Sequence, residues 1–252
     1  MEPEILQLIP LLKKKYEKGE NLINFITGSI PGKEALKSAI NVSYDIQAGS
    51  YVANFHRDPA YYEAYLSNYA EIINSLGPVK NIVEAGVGEA TTLIPLLPRL
   101  NYQPEELLGF DSSWSRISVA RKFASERKVQ HANLVVGNFF NCPLNDNSAD
   151  LVFTSHAVEP NGGLEREALQ ELYRITRKFL VLFEPIYEFA DEAGKERMDR
   201  LGYVKSLRET AQSLGYEIVR HELLTYNKDL SNPTGVIVIR KNQDAESQKL
   251  EL

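Results

Sequence analysis

Apolar side chains in the first 80 residues recur three and four positions apart, which places them on one face of a helix. Pro10 interrupts the first run and should kink or divide it, because proline has no backbone N–H to donate. Asp58 and Pro59 should start a later helix as its N-cap and first residue. The pattern therefore predicts a helical front section, with helices over 3–18, 33–40 and from 59 to the stop at Gly77-Pro78, and a short apolar segment at 22–26.

Beyond Asn81, short apolar runs alternate with segments of helical spacing. The runs that predict strands are residues 82–85, 107–110, 133–136, 150–154 and 179–183. The predicted helices between them lie near residues 90–100, 114–127 and 164–176. Strands and helices that alternate in this way form a parallel sheet covered on both faces, because the crossovers are right-handed.

The end of the chain departs from this alternation. A helix that begins near Leu207 should end at Gly215, and two strands over 216–224 and 235–240 follow it. Only a polar loop without a helical pattern separates the two strands, so they should pair antiparallel. The sequence therefore predicts an α/β fold, a doubly wound and mostly parallel sheet with a C-terminal antiparallel hairpin and an N-terminal helical cap.

These elements suggest three parts of the chain. Residues 1–58 should form a helical cap or lid, and residues 59–241 the domain that contains the sheet. The polar and charged residues 242–252 should form a frayed tail.

Composition narrows the class of protein and its partners. The 252 residues carry a formal net charge of −6 and no long basic run, so nucleic acid is not an expected partner. No apolar run approaches the roughly 20 residues that cross a membrane, and the N-terminus lacks the basic-then-apolar order of a secretory signal. Cys142 is the only cysteine, which excludes an intramolecular disulfide and suits a reducing compartment. We therefore expect a cytoplasmic protein without a membrane partner, and its oligomeric state stays open.

The segment from Ile82 to Thr91, with the sequence IVEAGVGEAT, carries the strongest indication of chemistry. It predicts a buried strand, a tight turn at Gly86 and Gly88, and the start of a helix. Glycine relaxes the restriction on φ and lets a ligand lie against bare backbone, next to the unpaired N–H groups of a helix start. A dinucleotide fingerprint would require a third glycine or alanine where Thr91 stands. A tight turn without a ligand is the alternative.

The order acid-x-Gly-x-Gly-x-small, with Glu84, Gly86, Gly88 and Ala90, resembles motif I of the class I S-adenosylmethionine (SAM) dependent methyltransferases. The resemblance extends over residues 81–240, and within that class this stretch is similar to the small-molecule branch. It implies the class I methyltransferase fold, SAM as cofactor, and transfer of a methyl group to a small-molecule acceptor by in-line displacement. Oxygen, nitrogen and carbon acceptors all stay open.

The ends of the predicted strands supply further cofactor-binding candidates. Asp111 can accept hydrogen bonds from both ribose hydroxyls, because a carboxylate has two acceptor oxygens; its alternative role is to cap the helix at Trp114. Asn138 stands where the resembled family often has an aspartate that accepts from the adenine amino group, and Phe139 or Phe140 could cover the ring. Ser155, at the end of the fourth strand, completes the cofactor-binding set.

Three residues are candidates for a catalytic base. The resemblance places His156 and Glu159, just past the fourth strand, beside the methyl group, and an oxygen acceptor would need a base within reach. Tyr187, past the fifth strand, is the third candidate. Their alternative roles are structural, with His156 holding loop backbone and Glu159 capping a helix. No metal is expected, because the four histidines lack ligand spacing and Cys142 has no partner.

The front section should contribute residues that face the cofactor or acceptor. We expect the segment before the helix at Pro59 to be a loop that carries Tyr44, Gln47, Tyr51, His56 and Arg57. Tyrosine suits this role because it offers a broad apolar face and one polar tip. Two functional alternatives accompany the methyltransferase hypothesis: a nucleotide-dependent oxidoreductase or epimerase with a Rossmann fold, and a SAM-binding protein without transferase activity.

Overall fold

The computed structural model describes residues 3–29, 33–227 and 230–241, so the predicted tail lies outside the described residues. The helices are α1 (Pro3–Glu17), α2 (Leu22–Ser29), α3 (Lys33–Ile46), α4 (Ser50–Arg57), α5 (Pro59–Ser75), α6 (Leu93–Leu96), α7 (Trp114–Glu126), α8 (Glu165–Ile175), α9 (Glu192–Leu201) and α10 (Leu207–Ser213). The strands are β1 (Asn81–Ala85), β2 (Glu106–Asp111), β3 (Asn133–Val136), β4 (Ala149–Ser155), β5 (Thr176–Pro185), β6 (Glu217–Leu223) and β7 (Thr234–Arg240).

The seven strands form one sheet in the order β3-β2-β1-β4-β5-β7-β6. Strands β1 to β5 are parallel, whereas β7 pairs antiparallel with both β5 and β6. The predicted fold class, including the C-terminal hairpin, is confirmed. The parallel register brings the carboxyl ends of the strands to one edge of the sheet, where an α/β fold binds its ligands.

Both faces of the sheet are buried. Phe153 and Phe183 point to one face, where they pack with Tyr69 of α5 and with side chains of α7. Their chain neighbours Val152 and Leu182 point to the other face and pack against α8, because side chains alternate along a strand. Burial of each large apolar side chain contributes about 1.5–3 kcal/mol. The central strands therefore form a rigid support for the loops at their carboxyl ends.

The helix after the glycine turn is shorter than predicted. α6 spans only Leu93–Leu96, and a single 3₁₀ turn over Leu97–Arg99 follows it. Pro98 removes the N–H that a longer α-helix would need at that position, so α6 ends there. The sequence pattern also missed α9, in which few side chains are buried; the side chain of Asp191 caps it by accepting from the Gly194 N–H.

The predicted loop before α5 is wrong, because residues 44–51 are mostly helical. α3 continues to Ile46 and contains Tyr44, while Tyr51 lies in the first turn of α4. Gly49 joins the two helices with φ 98°, a left-handed conformation that glycine adopts readily. The Asp58 side chain accepts from the Tyr61 N–H, which confirms the predicted cap of α5.

Helices α1, α2 and α3 pack around a small hydrophobic core of their own, which contains Leu12, Leu22, Ile26, Ala39 and Val42. This core is separate from the two that flank the sheet. Of the helices that the structure describes, none is long and apolar enough to cross a membrane.

Candidate active site

A cavity of about 600 Å³ lies at the carboxyl ends of the strands. Its floor comes from the glycine turn after β1 and the loops after β2, β3 and β4, and helices α3, α4 and α5 provide residues on its walls. Sites for small organic ligands and cofactors fall between roughly 300 and 1,000 Å³. The described cavity therefore has the size and the position of a ligand site.

The glycine turn has no room for side chains. Gly86 and Gly88 have φ values of 74° and 53°, in the left-handed region that favours glycine. A Cβ on Gly86 would lie 2.3 Å from the Cβ of Ala157, and one on Gly88 would lie 2.6 Å from a guanidinium nitrogen of Arg116. The backbone conformation favours glycine at both positions, and close packing against Ala157 also requires it at Gly86.

Glu84 lies at the base of this turn and lines the cavity. Its carboxylate accepts a hydrogen bond from the Leu93 N–H, 2.9 Å away, at the start of α6. The side chain is almost fully buried, and this desolvation raises its pKa well above the usual value. Glu84 thus fixes the helix start while its carboxyl group borders the cavity.

Asp111 lines the cavity at the end of β2. Its Oδ2 accepts from the Gly88 N–H at 3.0 Å, and its Oδ1 accepts from the Ser113 N–H at 2.8 Å. Ser113, and not Asp111, is the N-cap of α7, because its hydroxyl accepts from the Arg116 N–H. Asp111 therefore connects β2 to the glycine turn and keeps lone pairs for a ligand.

Asn138, Phe139 and Phe140 line the cavity beyond β3. The Asn138 side-chain oxygen accepts from the Phe140 N–H at 2.8 Å, which shapes the local turn. The two phenylalanine rings lie 4.7 Å apart between centroids, and the Lys37 ammonium lies 5.2 Å from the centroid of the Phe140 ring. This end of the cavity is an aromatic surface with one amide.

Arg116 is a cavity residue that the sequence analysis did not identify. Its guanidinium lies 4.8 Å from the ring centroid of Tyr44 and 4.3 Å from that of Tyr51. Its buried Nε has no hydrogen-bond partner among the described residues. Nearby carboxylates, Asp111 foremost, outweigh the desolvation that would lower its pKa, so its pKa is raised.

Glu89 is the second residue that was missed, and it joins the glycine turn to the helical cap. Its carboxylate accepts from the N–H groups of Gly49, at 2.9 Å, and Val52, at 2.7 Å. It also lies 3.9 Å from Arg116. Because these donors belong to the unpaired N-terminal end of α4, Glu89 caps that helix from a distant part of the chain.

His156 and Glu159 lie just past β4, where the sequence places them, and their side chains contact each other there. The Nδ1 of His156 lies 2.8 Å from the Glu159 carboxylate, and its Nε2 lies 2.9 Å from the hydroxyl of Thr234. Burial disfavours the protonated imidazole, but the Glu159 carboxylate outweighs it and raises the pKa of His156. His156 has φ 53°, an uncommon conformation for a residue other than glycine.

Glu184, at the end of β5, holds the loop that carries His156. Its buried carboxyl group accepts from three successive backbone N–H groups, at 3.0 to 3.1 Å, of residues 157, 158 and 159. Desolvation by burial raises its pKa to about 7, although the nearby His156 lowers it. The loop after β4 is therefore fixed by strand β5.

Tyrosines of α5 form a wall of the same cavity. Tyr61, Tyr62, Tyr65 and Tyr69 all line it, and Tyr226 faces Tyr61 with 5.7 Å between ring centroids. The pKa of Tyr65 and that of Tyr69 are raised well above the usual value, chiefly by burial.

Four of the residues proposed for the site do not belong to the described lining of the cavity. Tyr187 lies outside it, and its hydroxyl donates to Asp199 at 3.4 Å. His56 packs against the rings of Phe55 and Phe123, and Arg57 bonds to Asn54. Gln47 also lies off the lining. The helical course of residues 44–57 explains the positions of Gln47, His56 and Arg57, because a helix directs successive side chains to different faces.

The other predicted site residues all line the cavity: Tyr44, Tyr51, Glu84, Gly86, Gly88, Asp111, Asn138, Phe139, Ser155, His156 and Glu159. Ser155 is held by the Tyr69 hydroxyl at 3.2 Å. No group of three or more His, Cys, Asp or Glu side chains in the described parts of the chain could hold a metal ion.

Comparison with known proteins defines the class. Residues 82–178 match the family described as a methyltransferase domain. No curated protein sequence matches the chain significantly. Magnesium protoporphyrin IX methyltransferase from Synechocystis, solved with S-adenosylhomocysteine, superposes with a TM-score of 0.62 and 12% identity, over 82% of this chain and 100% of that one. Geranyl diphosphate C-methyltransferase from Streptomyces coelicolor superposes with a TM-score of 0.54 and 10% identity, over 70% and 77%.

The matched segment contains the glycine turn, Asp111, Asn138, and the pair His156 and Glu159. Together with the strand order, it shows that the protein has the fold of the class I SAM-dependent methyltransferases. Residues 82–178 carry a methyltransferase domain with this fold, and a methyltransferase domain of this fold takes its methyl group from SAM. The predicted fold, reaction class and cofactor are confirmed, and the roles of individual residues stay predictions.

Proposed function

We propose that the protein transfers a methyl group from SAM to a small-molecule acceptor that binds between the helical cap and the sheet. One observation carries the proposal: a single cavity is lined both by Gly86, Gly88 and Asp111 and by His156 and Glu159. Cofactor and acceptor can therefore occupy adjoining parts of the same space. Neither set of residues requires a nucleic-acid partner, and the lone buried thiol of Cys142 suits the cytoplasm.

The residues at the glycine turn fit SAM. The two glycines line the cavity, and the Asp111 carboxylate keeps lone pairs that suit ribose hydroxyls. Asn138 and Phe139 suit adenine, and the free Nε donor of Arg116 suits a carboxylate. When bound, SAM supplies a methyl group on a positively charged sulfur, already activated for in-line displacement.

His156 is the proposed base for a hydroxyl acceptor. The Glu159 carboxylate favours a proton on Nδ1, so that Nε2 can accept from the Thr234 hydroxyl. The proton of the acceptor then moves to Nε2, either directly or through the Thr234 oxygen. The resulting imidazolium is stabilised by Glu159, the same interaction that raises the pKa of His156. Ser155, between this pair and Tyr69, is proposed to border the cofactor.

The cap, residues 1–58, is proposed to screen the reacting groups from water. Tyr44 and Tyr51 reach the cavity from α3 and α4, and Glu89 ties α4 to the glycine turn. Screening strengthens the electrostatic interactions inside the cavity and holds the acceptor in place.

Equilibrium titration tests the proposal. The protein should bind SAM and S-adenosylhomocysteine, and it should bind neither NAD nor NADP measurably. Release of S-adenosylhomocysteine with an acceptor would establish turnover. Binding of NAD in preference to SAM would restore the oxidoreductase hypothesis, and SAM binding without turnover across a broad acceptor set would favour a binding protein.

A further inference from the structure

The part of the cavity beyond β4 has walls made mainly of tyrosine rings. Tyr61, Tyr65 and Tyr69 follow one another at four-residue spacing on one face of α5. The rings of Tyr61 and Tyr65 lie 5.7 Å apart, and those of Tyr65 and Tyr69 lie 4.9 Å apart. Tyr226 completes the enclosure from the hairpin side. We call these four residues the tyrosine wall.

The hydroxyls of Tyr65 and Tyr69 are engaged by other side chains of the protein. The Tyr65 hydroxyl lies 2.8 Å from the Thr92 hydroxyl, and the Tyr69 hydroxyl lies 3.2 Å from that of Ser155. Tyr69 also stacks on Phe183, with 3.7 Å between ring centroids and 9° between planes. Tyr65 and Tyr69 are therefore held in place by their neighbours, and the wall offers the cavity aromatic ring surface.

Charge is distributed unevenly along the cavity. Among its described lining residues the only lysine and arginine are Lys37 and Arg116, and both lie at the cofactor end, near Phe140 and Gly88 respectively. The end with the tyrosine wall contains the Glu159 carboxylate and the His156 imidazole. The nearest described cation there is Arg197, which donates to the side-chain oxygen of Asn232 and lies close enough to His156 to lower its pKa. Because the Glu159 carboxylate bonds to His156, a phosphate or carboxylate placed directly at the imidazole would meet a like charge at 2.8 Å from that ring.

The polar groups at this end are concentrated at one place. His156 and Thr234 lie 2.9 Å apart, and Asn232 also lines the cavity close by in sequence. An imidazole base removes a proton more readily from a phenol, with a pKa of about 10, than from an aliphatic alcohol, because efficient proton transfer needs similar pKa values.

From these features we infer that the methyl acceptor is a planar aromatic hydroxyl compound with no phosphate or carboxylate at the position of the reacting hydroxyl. This inference rests on the proposed function. The aromatic ring packs against the tyrosine wall in the tilted and edge-on arrangements that aromatic pairs favour. Its hydroxyl points to His156 and Thr234.

Binding of three matched probes, measured with S-adenosylhomocysteine present, tests the inference. The probes are 2-naphthol, which is fluorescent, 2-naphthyl phosphate, and decahydro-2-naphthol, which lacks aromatic rings. We expect 2-naphthol to bind about tenfold or more tightly than either of the others. Tyr226→Leu and Tyr61→Leu should each weaken 2-naphthol binding by about 2- to 10-fold, the range for one aromatic pair.

Tyr16→Leu, at a half-exposed tyrosine of α1 outside the cavity lining, is the matched control and should change nothing. Affinity for S-adenosylhomocysteine, measured separately, should be the same in all variants and shows that each is folded. The inference is wrong if the phosphate or the saturated alcohol binds as tightly as 2-naphthol, or if 2-naphthol does not bind. It is also wrong if neither wall substitution weakens 2-naphthol binding. Each of these results would leave the methyltransferase function intact. If the unmodified protein does not bind S-adenosylhomocysteine, both this inference and the proposed function are wrong.

Discussion

The carboxylate of Glu89 accepts a hydrogen bond from the backbone N–H of Val52, 2.7 Å away, although 37 residues separate the two in sequence. Glu89 belongs to the glycine turn, and Val52 belongs to the first turn of α4 in the cap. The turn proposed to hold the cofactor and the helix proposed to cover it are thus joined directly. Arg116, 3.9 Å from Glu89 and in contact with the rings of Tyr44 and Tyr51, reinforces this junction.

Glu89→Ala should loosen the cap. Loss of a buried acceptor leaves the N–H groups of Gly49 and Val52 unpaired, which costs about 1–3 kcal/mol. Urea unfolding should show this loss, and limited proteolysis between residues 49 and 58 should become faster and less sensitive to SAM. Glu105→Ala removes an exposed carboxylate and is the control. Unchanged stability and cleavage would mean that the cap does not depend on this contact.

Gly88→Val should abolish SAM binding. A β-branched residue resists φ 53°, and its Cβ would lie 2.6 Å from the guanidinium of Arg116 and displace that cavity-lining group. Calorimetric titration with SAM measures the effect, and circular dichroism checks that the variant is folded. Gly28→Ala, at a glycine with open space and ordinary φ, should bind SAM normally. A folded Gly88→Val protein with normal affinity would refute the assignment of the turn.

Asp111→Ala should weaken SAM binding by about 1.5–3 kcal/mol, the range for hydrogen bonds to a charged group. The variant also removes an acceptor from the Gly88 and Ser113 N–H groups, so a modest fall in melting temperature should accompany it. Asp146→Ala, at an exposed carboxylate, controls for charge. If affinity stays intact while stability falls, Asp111 is only structural and the ribose binds elsewhere.

The pH dependence of turnover tests the pair of His156 and Glu159. A base must be unprotonated to act, so the rate should rise with pH through the raised pKa of His156, with a midpoint above the usual value of about 6.5. Glu159→Gln removes the main interaction that raises this pKa, and the midpoint should therefore move to lower pH.

His156→Asn tests the same base by removal. Asparagine tolerates positive φ, so the loop should keep its conformation, and turnover should fall by about 10²–10⁴-fold with little change in SAM affinity. Tyr187→Phe, outside the cavity, should behave as the unmodified protein. A normal rate in His156→Asn would indicate catalysis by positioning alone.

The sequence predicted most of the sheet because each strand is a short apolar run bounded by polar or turn residues. It also predicted that Asp111, Asn138 and His156 lie at the carboxyl edge of the sheet, since in a parallel sheet residues that follow strands meet at one edge, and all three line the cavity there. The prediction of a loop at residues 44–51 was wrong because the polar and aromatic residues there show no clear helical repeat. In the structure, packing and the distant carboxylate of Glu89 stabilise two helices in this segment.

The sequence analysis missed some residues of the candidate site because their contacts join distant parts of the chain. Thr234 lies 78 residues after His156, and Glu89 lies 40 residues after Gly49, so no local spacing reveals either pair. Arg116 stands three residues after Ser113, the cap of α7. In the sequence this segment is recognisable only as the polar start of a helix. An arginine so close to a predicted ribose-binding acid was the one available indication.

A crystal structure with S-adenosylhomocysteine bound tests the central claim most directly. The account predicts the adenine beside Asn138 and Phe139, the ribose hydroxyls on Asp111, and the sulfur directed along the cavity towards His156 and the tyrosine wall. A bound molecule away from Gly86 and Gly88, or one whose sulfur faces away from His156, would contradict it.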